Sequence, residues 1–119
     1  MPDPMTILTI EPGQTGYAPV IPIDPNRAAS LSIIRECSHA HGLCVLVSDQ
    51  PEPPGDGPQW YLREWLPGLT ATPMYTGLRM GPPQIIIPMA MRWVKVGITT
   101  DQDSVVTAQA QLMCEVIYA

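Results

Sequence analysis

The sequence predicts an all-β protein, an antiparallel β-sandwich or jelly roll, on three observations. From Ser104 to Tyr118, Val106, Ala108, Ala110, Leu112, Cys114, Val116 and Tyr118 recur at every second position, with Thr107, Gln109, Gln111 and Glu115 among the residues between them. Successive side chains of a strand point to opposite faces, so this is a long strand with one buried face. Fifteen prolines and nine glycines break the chain too often for long helices. Without crossover helices a doubly wound parallel sheet is excluded. Several shorter apolar or β-branched runs, each bounded by turn residues, bring the count to six to eight strands. A chain of 119 residues makes one domain with a modest core.

The elements follow in order. Residues 1–26 carry Pro2, Pro4, Pro12, Pro19, Pro22 and Pro25, with the apolar runs Ile7 to Ile10 and Val20 to Ile23 between them. This is a proline-rich extended N-terminal arm with one short strand, Thr6 to Ile10. The arm either wraps a neighbouring molecule or packs along its own domain. In the first case Ile7, Ile10, Tyr17, Val20 and Ile23 are its partner-binding anchors. Residues 27–119 form the sandwich domain. Leu31 and Ile33 share one face of Ala28 to Glu36, with Ser30, Ser32 and Ile34 on the other. In this context that is a strand, with a short helix as the alternative. Leu43 to Val47 is a second β run. Gln50 to Pro58 is a loop, since four prolines and two glycines leave no other choice.

Gln59 to Leu66 alternates Trp60, Leu62 and Leu66 against Tyr61, Arg63 and Trp65, so both faces call for cover. Pro67 to Pro83 is loop-rich and holds Met74, Tyr75, Leu78 and Met80. Gln84 to Ile87, with three consecutive β-branched isoleucines, reads as a buried strand that Pro88 ends. Met91 to Thr99 sets Arg92, Val94, Val96 and Ile98 on one face and Trp93, Lys95 and Gly97 on the other. Thr100 to Asp103 is a turn, and the last strand is expected to pair back on Met91 to Thr99 as a C-terminal β-hairpin.

Composition narrows the function. The net charge of −5 argues against nucleic acid, which needs basic patches to neutralise phosphate. No apolar run approaches a membrane span, and Met1 to Ile10 lacks the pattern of a secretion signal. Three cysteines, Cys37, Cys44 and Cys114, are an odd number, which suits a reducing cytoplasm better than a disulfide scaffold. Charged residues make up only 14% of the chain, against a usual value of about 25%. A surface so poor in charge is expected to be covered in an assembly; a neutral Thr/Gln/Ser surface is the alternative.

Candidate chemistry is sparse. Cys37, His39, His41 and Cys44 are metal-ligand types, but all four fall within eight residues, where a tetrahedral site usually draws ligands from two separated pairs. A buried Cys44 and histidines in a polar loop are the plainer reading, so no metal and no cofactor are assigned. No nucleophile elbow or histidine–acid pairing supports a hydrolase, and no catalytic residue is assigned. Glu36 with Glu64, or Asp101 with Asp103, could be paired carboxylates, although the aspartates read as turn formers. Trp60, Tyr61, Trp65 and Tyr75 can fill a core, meet a partner or stack on a sugar.

Val45 to Asp49, Gln59-Trp60, and Arg92 to Val96 followed by Val105 to Val116 stand in an order that resembles discoidin-type (F5/8 type C-like) jelly rolls, over about residues 30–118. The resemblance implies a jelly roll whose Arg-Trp-Val-Lys-Val strand is hairpinned to the last one. It places no binding residues here. The small, loop-rich, charge-poor chain with its proline-rich arm also resembles minor structural proteins of tailed-phage virions, capsid decoration (cement) proteins among them. That resemblance implies a non-enzymatic virion component, made in the host cytoplasm. It would bind the major capsid protein or other virion proteins and would be a homo-oligomer, with a trimer the natural form at three-fold positions. The alternative is a carbohydrate- or host-surface-binding jelly-roll module.

Overall fold

The computed structural model describes residues 6–55, 59–69, 85–100 and 107–118. Nine strands run through them: β1 (Thr6–Ile10), β2 (Thr15–Tyr17), β3 (Ile21–Pro22), β4 (Ala29–Cys37), β5 (His41–Ser48), β6 (Tyr61–Leu69), β7 (Ile85–Ile87), β8 (Trp93–Thr100) and β9 (Ala108–Tyr118). A four-stranded sheet has the order β1-β9-β4-β7; the five-stranded one has β2-β8-β5-β6, with β3 also on β8. Every pairing is antiparallel. The two sheets pack face to face as a β-sandwich.

Alternation builds the core. Ala108, Ala110, Leu112 and Cys114 of β9 point inward beside Leu31 and Ile33 of β4. Leu43, Val45 and Val47 of β5 meet them from the opposite sheet, with Val94, Val96 and Ile98 of β8 in register. Each fully buried aliphatic side chain contributes about 1.5–3 kcal/mol.

Two expected features read differently. β9 is not hairpinned to β8: it pairs with β1 and β4, while β8 is flanked by β2, β3 and β5. A hairpin reading follows sequence proximity, but β8 and β9 lie in opposite sheets and both sides of β8 are already taken. Ile85–Ile87 is an edge strand buried on one face only; Ile86 is 69% exposed while its neighbours face the core.

The described part of residues 1–26 pairs within its own chain. Thr6↔Leu112 to Ile10↔Ala108 joins β1 to β9, and Thr15↔Thr99 to Tyr17↔Gly97 joins β2 to β8. The turn between them is Glu11-Pro12-Gly13-Gln14, closed by the Gln14 amide on the Glu11 carbonyl at 3.0 Å. Gly13 has φ 74°. Proline at the second position and a left-handed glycine at the third make a type II turn. Residues 24–27 are tied to the far end of β9: the Asp24 amide donates to the Tyr118 hydroxyl at 2.9 Å, and the Arg27 guanidinium lies 4.3 Å from the Tyr118 ring.

The turn expected at Thr100 to Asp103, the strand start at Ser104 to Val106, and the loop residues Met74, Tyr75, Leu78 and Met80 lie outside the described residues, apart from Thr100 itself. No helix among the described residues is long and apolar enough to cross a membrane.

Candidate functional site

One lateral side of the sandwich carries exposed apolar side chains among the described residues. β6 and β7 are the edges of the two sheets on that side, and the Arg63 Nε–H donates to the Ile86 carbonyl at 2.8 Å across the gap between them. Among the described residues the exposed large hydrophobics are Ile7, Tyr17, Tyr61, Leu62, Trp65, Ile86, Met89 and Ile117. Tyr61, Leu62, Trp65, Ile86 and Met89 all lie on or beside these two edge strands. Leu62 is 62% exposed. Among the described residues, Leu66 of Gln59 to Leu66 packs on the core while Tyr61, Leu62 and Trp65 are exposed, so the expected cover on both faces is not seen among them. Exposed apolar side chains are thus gathered along two neighbouring edge strands.

The outer face of the five-stranded sheet carries an aromatic row. Register sets Tyr17 beside Gly97, Gly97 beside Cys44, and Cys44 beside Trp65. The two ring systems need glycine beneath them. A Cβ on Gly97 would stand 2.7 Å from the Tyr17 ring, and one on Gly42 would overlap the Trp65 ring. Lys95 Nζ lies 4.3 Å from the Tyr17 ring centroid and 4.7 Å from that of Trp60, a cation held between two π faces. Trp60 and Trp93 donate their indole N–H groups to the Gly55 and Gln50 carbonyls at 2.8 and 2.9 Å, tethering the proline loop to this face.

The five anchors read from the arm separate. Ile10 and Ile23 are in the chain's own core, 1% and 7% exposed. Val20 is half-buried and lines, with Ala18, Ile21, Leu112 and Cys114, an apolar groove of about 270 Å³. Only Ile7, 72% exposed, and Tyr17 present large apolar surface outward. Alternation along β1 explains Ile7 and Ile10: three residues apart, they fall on opposite faces.

The Cys37–Cys44 segment does not converge. The chain turns at Ser38 to Ala40, so it is not one extended face. Cys37 and His41 point inward from opposite sheets, and Cys44 points outward beneath Tyr17 and Gly97. Burial pushes both the Cys37 and Cys44 thiols up, so they stay protonated and unreactive. Among the described residues no group of three His, Cys, Asp or Glu is placed to hold a metal ion. Glu36 lies in the four-stranded sheet and Glu64 in the five-stranded one, while Asp101 and Asp103 lie outside the described residues.

Sequence reasoning missed Arg35. It is wholly buried on the inward face of β4, the face of Leu31 and Ile33. Its Nε–H donates to His41 Nε2, and the His41 Nδ1–H donates to the His39 carbonyl at 2.9 Å. Residue parity along β4 was the signal that could have found it. Beside it, His41 and Thr100 line a groove of about 300 Å³ with Gly42, Trp65 and Gly68. Comparison with protein-family models, with curated proteins and with solved structures gives no match.

Proposed function

We propose that this sandwich is a jelly roll serving as a structural virion component, a capsid decoration or cement protein that binds the major capsid protein or other virion proteins. Its role is to hold polypeptides together by shape and apolar contact. The fold part rests on pairing. Counting β2 and β3 as one interrupted strand gives eight elements, in which first pairs with last, second with seventh, third with sixth and fourth with fifth. That order supports reading the sandwich as a jelly roll, an architecture of viral capsid and lectin domains. The discoidin-type resemblance supports it less, because the hairpin between the Arg92 to Val96 strand and the last strand is not made.

The observation that carries the functional part is the apolar β6–β7 side, with Leu62 and Ile86 at its centre, on a chain with 14% charged residues. Ile7 and Tyr17 on the opposite side offer a second contact. Two contacts on opposite sides let one copy bridge two neighbours, and repetition on a lattice adds avidity. Binding the assembled shell better than free subunits stabilises it by mass action. A homo-oligomer, a trimer at three-fold positions, is the expected form.

Mass spectrometry of purified particles from the virus encoding the chain tests this reading. The chain should be present in stoichiometric amount, and Leu62→Lys with Ile86→Lys should remove it from particles while leaving it folded. Absence of the unmodified chain from particles would overturn the proposal.

A further inference from the structure

We propose that the end of the core where β4 hands over to β5 is a binding site for a small monovalent anion, a halide or a carboxylate, held by Arg35. This inference does not depend on the virion reading.

Arg35 has no exposed surface, and its Nη1 and Nη2 have no hydrogen-bond partner. Only Nε is engaged, with His41 Nε2. An arginine cannot discharge itself by losing a proton at any ordinary pH. Buried polar groups are almost always satisfied, and a buried charge needs a partner of opposite sign. Among the described residues, the ionisable side chains facing Arg35 supply none. His41 gives its Nδ1 proton to the His39 carbonyl and turns a lone pair to Arg35, so the imidazole is neutral. Burial pushes its pKa down, in agreement. Cys37 is kept as the neutral thiol by burial. Glu36 follows Arg35 directly and so lies on the other face of β4.

The geometry also provides a donor set and a route. Two adjacent N–H-bearing nitrogens of a planar guanidinium match a carboxylate bidentately, or converge on one halide. His41 lines the open groove and holds Arg35 from behind it, so the guanidinium stands one side chain away from solvent. The groove volume of about 300 Å³ greatly exceeds the roughly 30 Å³ share of one water, so a small ion can reach His41, and the imidazole must swing aside for it to meet the Arg35 Nη atoms.

The test is thermal unfolding of the intact chain at fixed ionic strength, exchanging sodium gluconate, whose six-carbon polyol chain is too bulky for a site buried in the core, for sodium chloride or sodium acetate. The wild type should show a saturable rise in Tm, by about 5 °C, a shift of the size one bound ligand gives a small domain. Arg35→Met should show the same Tm in all three salts. Response to chloride alone identifies a halide site, and response to acetate alone a bidentate carboxylate site. Should Arg35→Met fail to fold, ¹⁵N NMR of the wild-type arginine side chains replaces it: the Arg35 signals should move on titration while those of Arg27, Arg63 and Arg92 stay. A wild type whose Tm and Arg35 signals are the same in all three salts would overturn the proposal.

Discussion

The two ends of one core are built on different chemistry. Where β4 begins and β5 ends, Leu31, Val47, Ile85, Ile87 and Val94 meet with no buried charge among them. Where β4 ends and β5 begins, Arg35, His41 and Thr100 replace aliphatic side chains on the same inward-facing rows. Thr100 is fully employed there: its hydroxyl donates to the Glu11 carbonyl and accepts from the Gly13 amide, both at 3.2 Å, which fixes the β1–β2 turn over that end. The apolar end supplies stability and little else. The polar end spends some of that stability on groups that specify position, and it is where a groove opens.

Leu31→Ala at the apolar end should have the largest effect, a loss of about 2–5 kcal/mol in denaturant unfolding, because a filled, fully buried site becomes a cavity. Arg35→Met at the other end should cost less than that, since an apolar replacement of a buried ion is often close to neutral. Equal losses would erase the contrast between the ends. Next comes Gly97→Val, midway along β8. Its new side chain must displace the Tyr17 ring, at a cost of about 1–3 kcal/mol. Tryptophan fluorescence should report the disturbed Lys95–Trp60 contact in the same variant.

Thr100→Val should lose about 1 kcal/mol for each of its two bonds, with faster hydrogen exchange at Gly13 and Gln14. His41 gives a pH signature confined to the polar end. Its folded pKa lies below the unfolded value of about 6.5. The unfolded chain therefore binds the proton more readily. Its contribution to stability is complete above that value and is lost as pH falls through it toward the lower folded value. A His41→Gln variant should lack that slope between pH 7 and 5.5 in Tm measurements. The smallest effect on stability belongs to Leu62→Lys, within about 0.5 kcal/mol, because the side chain is mostly in solvent. In sedimentation the same change should weaken self-association.

Strands with one buried face were legible. Val94, Val96 and Ile98 alternate with Trp93, Lys95 and Gly97 in the sequence as they do in the sheet, and Ala108 to Tyr118 likewise. Pairing partners were not. Nothing local in Ala108 to Tyr118 says that its neighbours are β1 and β4 rather than β8, because register is a long-range property. Ile85 to Ile87 illustrates a second limit: three isoleucines read as buried on both faces, yet an edge strand needs only one face covered. Of the candidate site, the aromatic residues were visible but not their placement. Tyr17 and Trp65 are 48 positions apart and become neighbours only through Gly97 and Cys44. Arg35 sat in view on the Leu31 and Ile33 face and was passed over.

The pairing of β1 with β9 has a consequence for how the chain is made. On the ribosome, β1 emerges roughly a hundred residues before the strand it must lie against. Of that sheet's strands the central β9 is made last, so until translation has passed residue 118 β1 has no partner strand and β4 has one edge unpaired. Contacts this distant in sequence form slowly, and open edges invite neighbouring nascent chains. β1 thus stays without its partner while roughly a hundred residues are made, and slowing elongation should increase misassembly rather than reduce it.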